Sequence, residues 1–192
     1  MPNSNTSKGQ LRSTLRGRRQ ALSADQQGLA AQAVSGHIAE LPDWSTAQRI
    51  ALYLAADGEI DTTPLSELAR AQHKQLFLPV IEADNSLRFA EWRPDSVLST
   101  NRFGIPEPPA QASRCPAEDL DIVFLPLVGW DLQGGRLGMG GGFYDRTLAG
   151  INGPLLVGLA HANQQVDCIP REEWDISLDF IASDSALHFC AE

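Results

Sequence analysis

Two spacings of apolar residues alternate along the chain. Runs of mainly branched apolar residues, typical of buried strands, occupy residues 49–56, 74–81, 121–128 and 154–160. Residues 87–92 alternate apolar with polar side chains, and short final strands are predicted at 178–183 and 186–190. Helical spacing is found at residues 8–22, 24–41 and 143–149, and a further helix is predicted from residue 64. This alternation predicts a three-layer α/β/α fold, with a parallel or mixed central sheet and helices on both faces.

Local signals refine these elements. Ser23, with Gln26 three residues later, has the pattern of a capping box at the start of the second helix. Lys74 stands at the start of a predicted strand, and we expect it to be solvated. Residues 93–116 contain five prolines and no regular spacing, and such a long irregular stretch is uncommon unless it covers a site.

Length and composition favour one domain that spans residues 1–192, with residues 1–7 disordered. No apolar run approaches the ~20 residues that a membrane helix needs. The three cysteines are widely spaced and odd in number, which predicts inert thiols in a reducing compartment, the cytosol. The net charge of -9 argues against a partner that is nucleic acid or an anionic membrane.

The first predicted helix departs from this acidic balance, because residues 1–24 contain five basic residues and no acid. On a helical projection one stripe holds Leu11, Leu15 and Leu22, and the adjacent stripe holds Lys8, Arg12, Arg16 and Arg19. Three interpretations remain open. In the first, the basic stripe is a solvated face. In the second, the segment is an Arg-rich organelle transit peptide. In the third, the leucines dock the helix so that Lys8 and Arg12 face a polyanion.

A glycine-rich loop between the strand at 121–128 and the helix at 143–149 is the main candidate for chemistry. It contains Arg136 and the glycines 134, 135, 138, 140, 141 and 142. Glycines allow backbone N–H groups to approach a phosphate closely, so this order of elements predicts an anion cradle. The P-loop pattern is absent, and Phe143 breaks the dinucleotide fingerprint. A flexible linker is the alternative, but Arg136, Tyr144 and Asp145 at fixed offsets favour a phosphate site.

Glu59 is a second candidate. It follows Asp57-Gly58 near the carboxyl end of a predicted strand, which is where open α/β sheets bind ligands.

The run G-x-R-L-G-x-G-G-G-F-Y-D-R at residues 134–146 resembles the signature of the 5-formyltetrahydrofolate cyclo-ligase family, also called methenyltetrahydrofolate synthetase. Dispersed matches occur in the family's order, and they include Lys8-x-x-Leu11-Arg12, Tyr53 with Gly58-Glu59-Ile60-Asp61-Thr62, Gly104-Ile105-x-Glu107-Pro108, and Gln164 with Pro170 and Asp175. The resemblance therefore spans essentially the whole chain.

The resemblance implies a fold like that of CoA transferases and sugar-phosphate isomerases. It also implies an enzyme that uses ATP and Mg²⁺ to convert 5-formyltetrahydrofolate to 5,10-methenyltetrahydrofolate, through a phosphorylated formyl group. Phosphoryl transfer depends mainly on positioning and charge neutralisation, which suits a site built of cations and backbone donors. The implied substrate is a folate with or without a polyglutamate tail, and the implied enzyme is a cytoplasmic monomer.

The family's functional residues map onto this chain position by position. Lys8 and Arg12 would hold ATP phosphates, and Asp145 and Asp175 would bind Mg²⁺. The other wall of the nucleotide site would be Arg136, Leu137, Gly138, Met139, Gly140, Gly141, Gly142, Phe143 and Tyr144. The folate would contact Leu54, Glu59, Met139, Gly140, Gly141, Gly142 and Phe143. Lys8, Arg136 and Tyr144 are the expected catalytic residues.

Three positions depart from the family pattern, and one of them, Trp130 in place of a usual Phe, is a change that packing could absorb. Phe143 stands where many members have Tyr, and Gly141 stands where some carry Lys. Phe143 removes a hydroxyl and Gly141 removes one potential phosphate or folate contact.

Three other functions remain open. A non-catalytic folate- or nucleotide-binding regulator would keep the fold but is expected to lose Lys8, Arg136 or Asp145. A CoA transferase or sugar-phosphate isomerase relative would not need the Lys8 helix together with the Arg136 loop. A basic interaction arm at residues 8–19 is the third.

Overall fold

The computed structural model describes residues 7–190. The helices in this part of the chain are α1 (Lys8–Gln20), α2 (Ala24–Ile38), α3 (Thr63–Ala71) and α4 (Phe143–Leu148). Ser7 and Ser23 cap α1 and α2 through reciprocal bonds with Gln10 and Gln26, so the predicted capping box is confirmed. The expected disorder is wrong for Ser7, whose side chain accepts the Gln10 N–H. Residues 1–6 lie outside the described residues.

The strands are β1 (Arg49–Ala51), β2 (Gln75–Ile81), β3 (Leu87–Glu91), β4 (Ser99–Thr100), β5 (Pro106–Glu107), β6 (Arg114–Cys115), β7 (Ile122–Pro126), β8 (Gly129–Trp130), β9 (Arg136–Leu137), β10 (Leu155–Ala160), β11 (Phe180–Ser183) and β12 (Leu187–Phe189). Eight of them form one sheet in the order β12-β11-β10-β7-β1-β2-β3-β6. The strands from β11 to β2 in this order pair parallel with one another. β12 pairs antiparallel with β11, β3 with β2, and β6 with β3. The mixed sheet is therefore confirmed.

The two faces of the sheet are covered differently. On one face, Val34 of α2 and Leu65 of α3 belong to the same buried cluster as Ile50 and Phe124, and each of these four residues is at most 1% exposed. On the other face, α4 and the β8–β9 hairpin contribute Leu148 and Trp130 to a second cluster. Helices therefore contribute to both faces, as predicted, and α4 on the second face is six residues long.

β1 is much shorter than the predicted strand at 49–56. After Ala51 the Leu52 N–H still bonds to the Phe77 carbonyl oxygen at 2.9 Å, and the chain then leaves the sheet. The Tyr53 carbonyl oxygen accepts from Thr62 Oγ1 at 2.6 Å, and Tyr53 Oη donates to the Ile60 carbonyl at 3.0 Å. Side chains thus satisfy backbone groups that a longer strand would have paired with neighbouring strands.

The order of connections creates a switch point beside β1. From β1 the chain continues through α3 to β2 on one side, and β7 occupies the other side. Open α/β sheets bind ligands at the carboxyl ends of the strands at such a point.

α1 is docked by its leucine stripe, since Leu15 is fully buried against Val128, Leu137 and Ile169. Lys74 is also buried, with Nζ donating to the carbonyl oxygens of Trp44 and Ala47, both at 2.6 Å. The expectation that Lys74 is solvated is wrong.

All three cysteines are free thiols, and Cys168 is exposed rather than buried. Among residues 7–190, no helix is both long enough and apolar enough to cross a membrane.

Candidate active site

A cavity of about 930 Å³ opens at the carboxyl ends of β1, β2 and β7. Its walls come from α1, from the segment after β1, from the β4–β5 hairpin, and from the glycine-rich loop with α4. Every site residue predicted from the sequence lines this one cavity. The sequence therefore located the cavity correctly, and the chemical roles of its residues remain to be argued from their contacts.

One end of the cavity, which we call the cationic end, collects three basic side chains. Lys8 Nζ donates to Asp175 Oδ2 at 2.7 Å, and Arg12 Nε donates to the Gly138 carbonyl oxygen at 2.8 Å. Arg136 Nη2 forms an ion pair with Asp145 Oδ1. α1, the glycine-rich loop, α4 and the segment around Asp175 are thus tied together at this end.

Arg136 is the most enclosed of the three cations. Its side chain is 6% exposed, and its buried Nε has no hydrogen-bond partner among residues 7–190. A buried guanidinium donor without a partner is costly, and an anionic ligand in the cavity would relieve that cost.

The two carboxylates at this end lie in one local network. Asp145 Oδ1 also accepts the Ile176 N–H at 3.2 Å, which brings the residue after Asp175 against α4. Burial acts to raise the pKa of Asp175, but hydrogen bonds from Lys8 and the Glu172 N–H outweigh it and hold the pKa below its ordinary range. Asp175 is therefore a carboxylate at neutral pH.

Positive φ angles explain two glycines in the loop. Gly140 has φ 100° and Gly142, the residue before α4, has φ 67°. A Cβ at Gly140 would also lie 3.4 Å from Arg12 Cζ. That distance is an ordinary van der Waals contact, so the positive φ angle, rather than a lack of space, is what favours glycine at residue 140.

The opposite end of the cavity is built around Glu59. Its Oε2 accepts the Ala56 N–H at 3.0 Å, and its side chain is 12% exposed. Burial raises the pKa of Glu59, against the opposing effects of that hydrogen bond and of Arg19. Burial and the nearby Glu59 also raise the pKa of Tyr144, which keeps the phenol protonated and able to donate.

Beneath α1 lies an anchor that the sequence analysis missed. Arg19 is fully buried and donates to the carbonyl oxygens of Asp57 and Leu127 and to Asp57 Oδ2, at 2.7, 3.0 and 2.6 Å. Arg16 Nε donates to the same Asp57 oxygen at 2.7 Å. The only signal for this anchor was the helical spacing of Arg16 and Arg19, which did not distinguish them from Lys8 and Arg12.

The β4–β5 hairpin, within the predicted irregular stretch, also lines the cavity through Asn101, Phe103 and Glu107. Glu107 Oε1 accepts the Ile81 N–H at 3.0 Å and Asn101 Nδ2 at 2.7 Å, which ties the hairpin to β2. The proline content predicted that this stretch covers a site. Within it, Glu107 was named only as part of a match to the family pattern, and no residue was given a role.

Comparison with known proteins decides which family has this arrangement. A sequence profile of the 5-formyltetrahydrofolate cyclo-ligase family matches residues 4–184. The chain belongs to the 5-formyltetrahydrofolate cyclo-ligase family.

Individual relatives of this cyclo-ligase family agree. The 5-formyltetrahydrofolate cyclo-ligase of Haemophilus influenzae is 43% identical over 174 residues, which cover 88% of this chain and 93% of that protein. The Escherichia coli K12 enzyme of the same name is 39% identical over 176 residues, covering 89% and 97%. The NMR structure of Aquifex aeolicus 5,10-methenyltetrahydrofolate synthetase superposes with a TM-score of 0.84 at 33% identity, covering 96% of this chain and 93% of that one.

Membership confirms the resemblance drawn from the sequence, and with it the expectation that the protein is an enzyme, a ligase of the cyclo-ligase family. Phe143 and Gly141, which depart from the family pattern, both lie within the residues that the family profile matches. Neither departure therefore prevents the match.

Proposed function

We propose that this protein converts 5-formyltetrahydrofolate to 5,10-methenyltetrahydrofolate, with ATP as the second substrate, Mg²⁺ as the metal, and ADP and phosphate as the other products. The observation that carries the proposal is that, in a member of this family, one cavity has cations and carboxylates at one end and Glu59 at the other. In this proposal the enzyme is cytoplasmic. It acts as a monomer, since one chain supplies every residue that the proposal invokes.

The proposed route has two steps. The formyl oxygen of the substrate attacks the terminal phosphorus of ATP, ADP leaves, and an iminophosphate forms. The N10 nitrogen then attacks the formyl carbon and loses its proton, the ring closes, and phosphate departs with the oxygen. Both steps concentrate negative charge on phosphate oxygens, which is the charge that cations of the protein can stabilise.

The cationic end is suited to the triphosphate of ATP. Lys8 and Arg12 reach it from α1, and the free Nε of Arg136 supplies a donor from the opposite wall. Each already bonds or pairs with a group of the protein, so the positions of the cations are fixed before ATP binds. Such preorganisation stabilises a developing charge without a cost of reorganisation.

The Glu59 end is suited to the pterin. A buried carboxylate can accept hydrogen bonds from the amino group and ring N–H of a pterin, and Leu54 supplies an apolar contact beside it. The loop from Met139 to Phe143 lines the space between the two ends. Tyr144 is close enough to Glu59 and Arg136 to respond to both charges, which supports a role where the formyl group and the phosphate meet.

Asp145 and Asp175 fit a Mg²⁺ ion shared with phosphate. Residues 7–190 contain no group of three side chains that could hold a metal alone. Mg²⁺ usually keeps waters and takes one or two carboxylates plus substrate phosphates, so two aspartates at the cationic end are sufficient. Bound there, the ion would neutralise phosphate charge, and Lys8 and Arg136 would hold the two carboxylates in place.

The test is an absorbance assay of methenyl product from 5-formyltetrahydrofolate, with ATP and Mg²⁺ varied independently. We expect product only with both. We also expect Asp145→Asn to raise the Mg²⁺ concentration for half-maximal rate at least about tenfold, because it removes one charged ligand. Asp167→Asn, an exposed acid away from the cavity, is the matched control and should leave the Mg²⁺ dependence unchanged.

Folate binding with no ATP-dependent product would refute the proposal and favour a non-catalytic regulator. Product formation with an unchanged Mg²⁺ dependence in Asp145→Asn would keep the reaction and remove Asp145 from the metal site.

A further inference from the structure

Glu59 is carried by a tight turn with an uncommon backbone. The Glu59 N–H donates to the Ala56 carbonyl oxygen at 3.0 Å, which closes the turn. The two central residues, Asp57 and Gly58, have left-handed φ angles of 52° and 75°. A residue with a side chain, such as Asp57, seldom adopts this region, so the turn depends on surrounding groups that hold it in place.

Buried side chains from two different elements hold the central peptide groups of this turn. Arg19 Nε of α1 donates to the Asp57 carbonyl oxygen at 2.7 Å. His161, which directly follows β10, places Nε2 3.1 Å from the Gly58 carbonyl oxygen. Arg19 and His161 are both at most 1% exposed. Water therefore cannot replace either partner unless the structure opens locally.

His161 is the donor in its bond to the turn. A carbonyl oxygen only accepts, so Nε2 of the ring must carry the proton. Burial lowers the pKa of His161, against the opposing effects of the bond to Gly58 and of Asp184. The ring is therefore neutral at neutral pH, and its single proton is the one given to Gly58.

The backbone of His161 is itself fixed by buried side chains. Its N–H donates to Gln164 Oε1 at 2.8 Å, and its carbonyl oxygen accepts from Trp130 Nε1 at 3.2 Å. Gln164 Nε2 in turn donates to the carbonyl oxygens of Leu127 and Val128, at 2.7 and 2.9 Å. The imidazole is thus attached to a rigid part of the fold beside the end of β7.

We propose that His161 is a positioning residue for Glu59, and that its bond to Gly58 fixes the turn which presents the Glu59 carboxylate to the folate. The inference rests on the proposed function, because it takes Glu59 to bind the pterin. His161 does not line the cavity, so it acts only through the turn. Glu59 Oε2 accepts the Ala56 N–H at 3.0 Å, so a displaced turn moves the carboxylate with it. Arg19 also anchors α1, and only a change at His161 separates the turn from that anchor.

The experiment measures KM for 5-formyltetrahydrofolate and for ATP separately. His161→Phe keeps a ring but removes the donor, and it should raise KM for the folate about tenfold, as expected for the loss of one orienting hydrogen bond. KM for ATP should stay unchanged, because the cationic end does not depend on this turn. His161→Gln restores an N–H donor at nearly the position of Nε2 and should return KM for the folate toward the native value.

His188→Phe is the matched control. It removes a histidine of β12 that packs on Trp130 and does not line the cavity, so both KM values should remain native. If His161→Phe does not fold, His161→Asn takes its place, since the shorter amide cannot reach Gly58.

An unchanged KM for the folate in His161→Phe would overturn the inference while leaving the reaction intact. Equal rises in KM for folate and ATP, or the same rise in His161→Gln as in His161→Phe, would also overturn it and indicate a purely structural role. Absence of turnover in the native enzyme would instead refute the proposed function. Equilibrium binding of 5-formyltetrahydrofolate then decides, since the inference requires weaker binding by His161→Phe than by the native protein, and equal or absent binding overturns it.

Discussion

The two halves of α1 have the same kind of side chains and opposite uses for them. In the first half, Lys8 is 25% exposed at the cationic end and Arg12 reaches over the glycine-rich loop. In the second half, Arg19 is fully buried, and Asp57 binds both Arg16 and Arg19. The first half faces a cavity that can admit an anion, and the second half faces an anion that the fold supplies.

The comparison shows that a basic helix can be both a binding element and a structural one, according to the partner of each residue. Asp57 accepts hydrogen bonds from three side chains of α1, those of Arg16, Arg19 and Gln20, so the second half has a carboxylate partner within the fold. That anchor fixes the position of the first half. We therefore expect substitutions in the two halves to affect different quantities.

The largest effect should come from the buried anchor. We expect Arg19→Met to lower the free energy of unfolding by about 3–5 kcal/mol, since it leaves the Asp57 carboxylate and two carbonyl oxygens without their buried donor. Urea denaturation measures this change. Arg18→Met is the control, because Arg18 is exposed and makes one 3.3 Å bond, and it should change stability by less than about 0.5 kcal/mol. Equal stability of the two variants would contradict the assignment of Arg19 as the anchor.

The next effect should be on turnover alone. Lys8→Met should lower kcat/KM for ATP about a hundredfold, as expected for the loss of one positioned cation at a phosphoryl group. Its unfolding free energy should fall by less than about 1 kcal/mol, since the pair with Asp175 is partly exposed.

Arg16→Met is the matched variant in the other half of α1. It removes a pair of the same 2.7 Å length, and Arg16 itself does not line the cavity. Arg19 and Gln20 still hold Asp57 in this variant, so its turnover should remain near that of the native enzyme. If both variants lost turnover equally, the functional division of α1 would be wrong.

The smallest effect depends on pH. Hydrogen bonds from Arg16 and Arg19 hold the pKa of Asp57 well below its usual value, against the effect of burial. A depressed carboxyl pKa stabilises the fold above the unfolded pKa of about 4, and this stabilisation is lost as the pH falls through the lower folded value. Asp57→Asn should therefore lower the melting temperature most at neutral pH. The difference from the native protein should shrink steadily below pH 4, and a constant difference would refute the linkage.

Local signals were enough to predict much of the fold. Ser23 with Gln26 predicted where α2 begins, because a capping box depends on neighbours within one helix. The leucine stripe of α1 allowed docking as one of three open interpretations, and the structure shows Leu15 buried. The glycine-rich loop and Glu59 line one cavity because they lie in the segments after β7 and β1, and neighbouring parallel strands bring such segments to one edge of the sheet.

Features that depend on distant backbone groups were not predictable. Lys74 and Arg19 are buried because carbonyl oxygens remote in sequence accept their protons. The apolar run at 49–56 continues beyond β1, but there the Tyr53 carbonyl oxygen accepts from Thr62 Oγ1, nine residues away, rather than from a neighbouring strand. Similarly, the sequence around Phe103 did not predict that its ring would contact the Phe143 ring at the cavity.

The bond between Lys8 and Asp175 joins residues that are 167 positions apart. As a ribosome extends this chain, α1 emerges among the first elements. Lys8 can form its bond with Asp175 only after almost all of the protein has been made. Contacts of such long sequence separation form late, because the intervening loop must close first. The cationic end is therefore completed at the close of synthesis, and a chain released before residue 175 would leave Lys8 without its carboxylate partner.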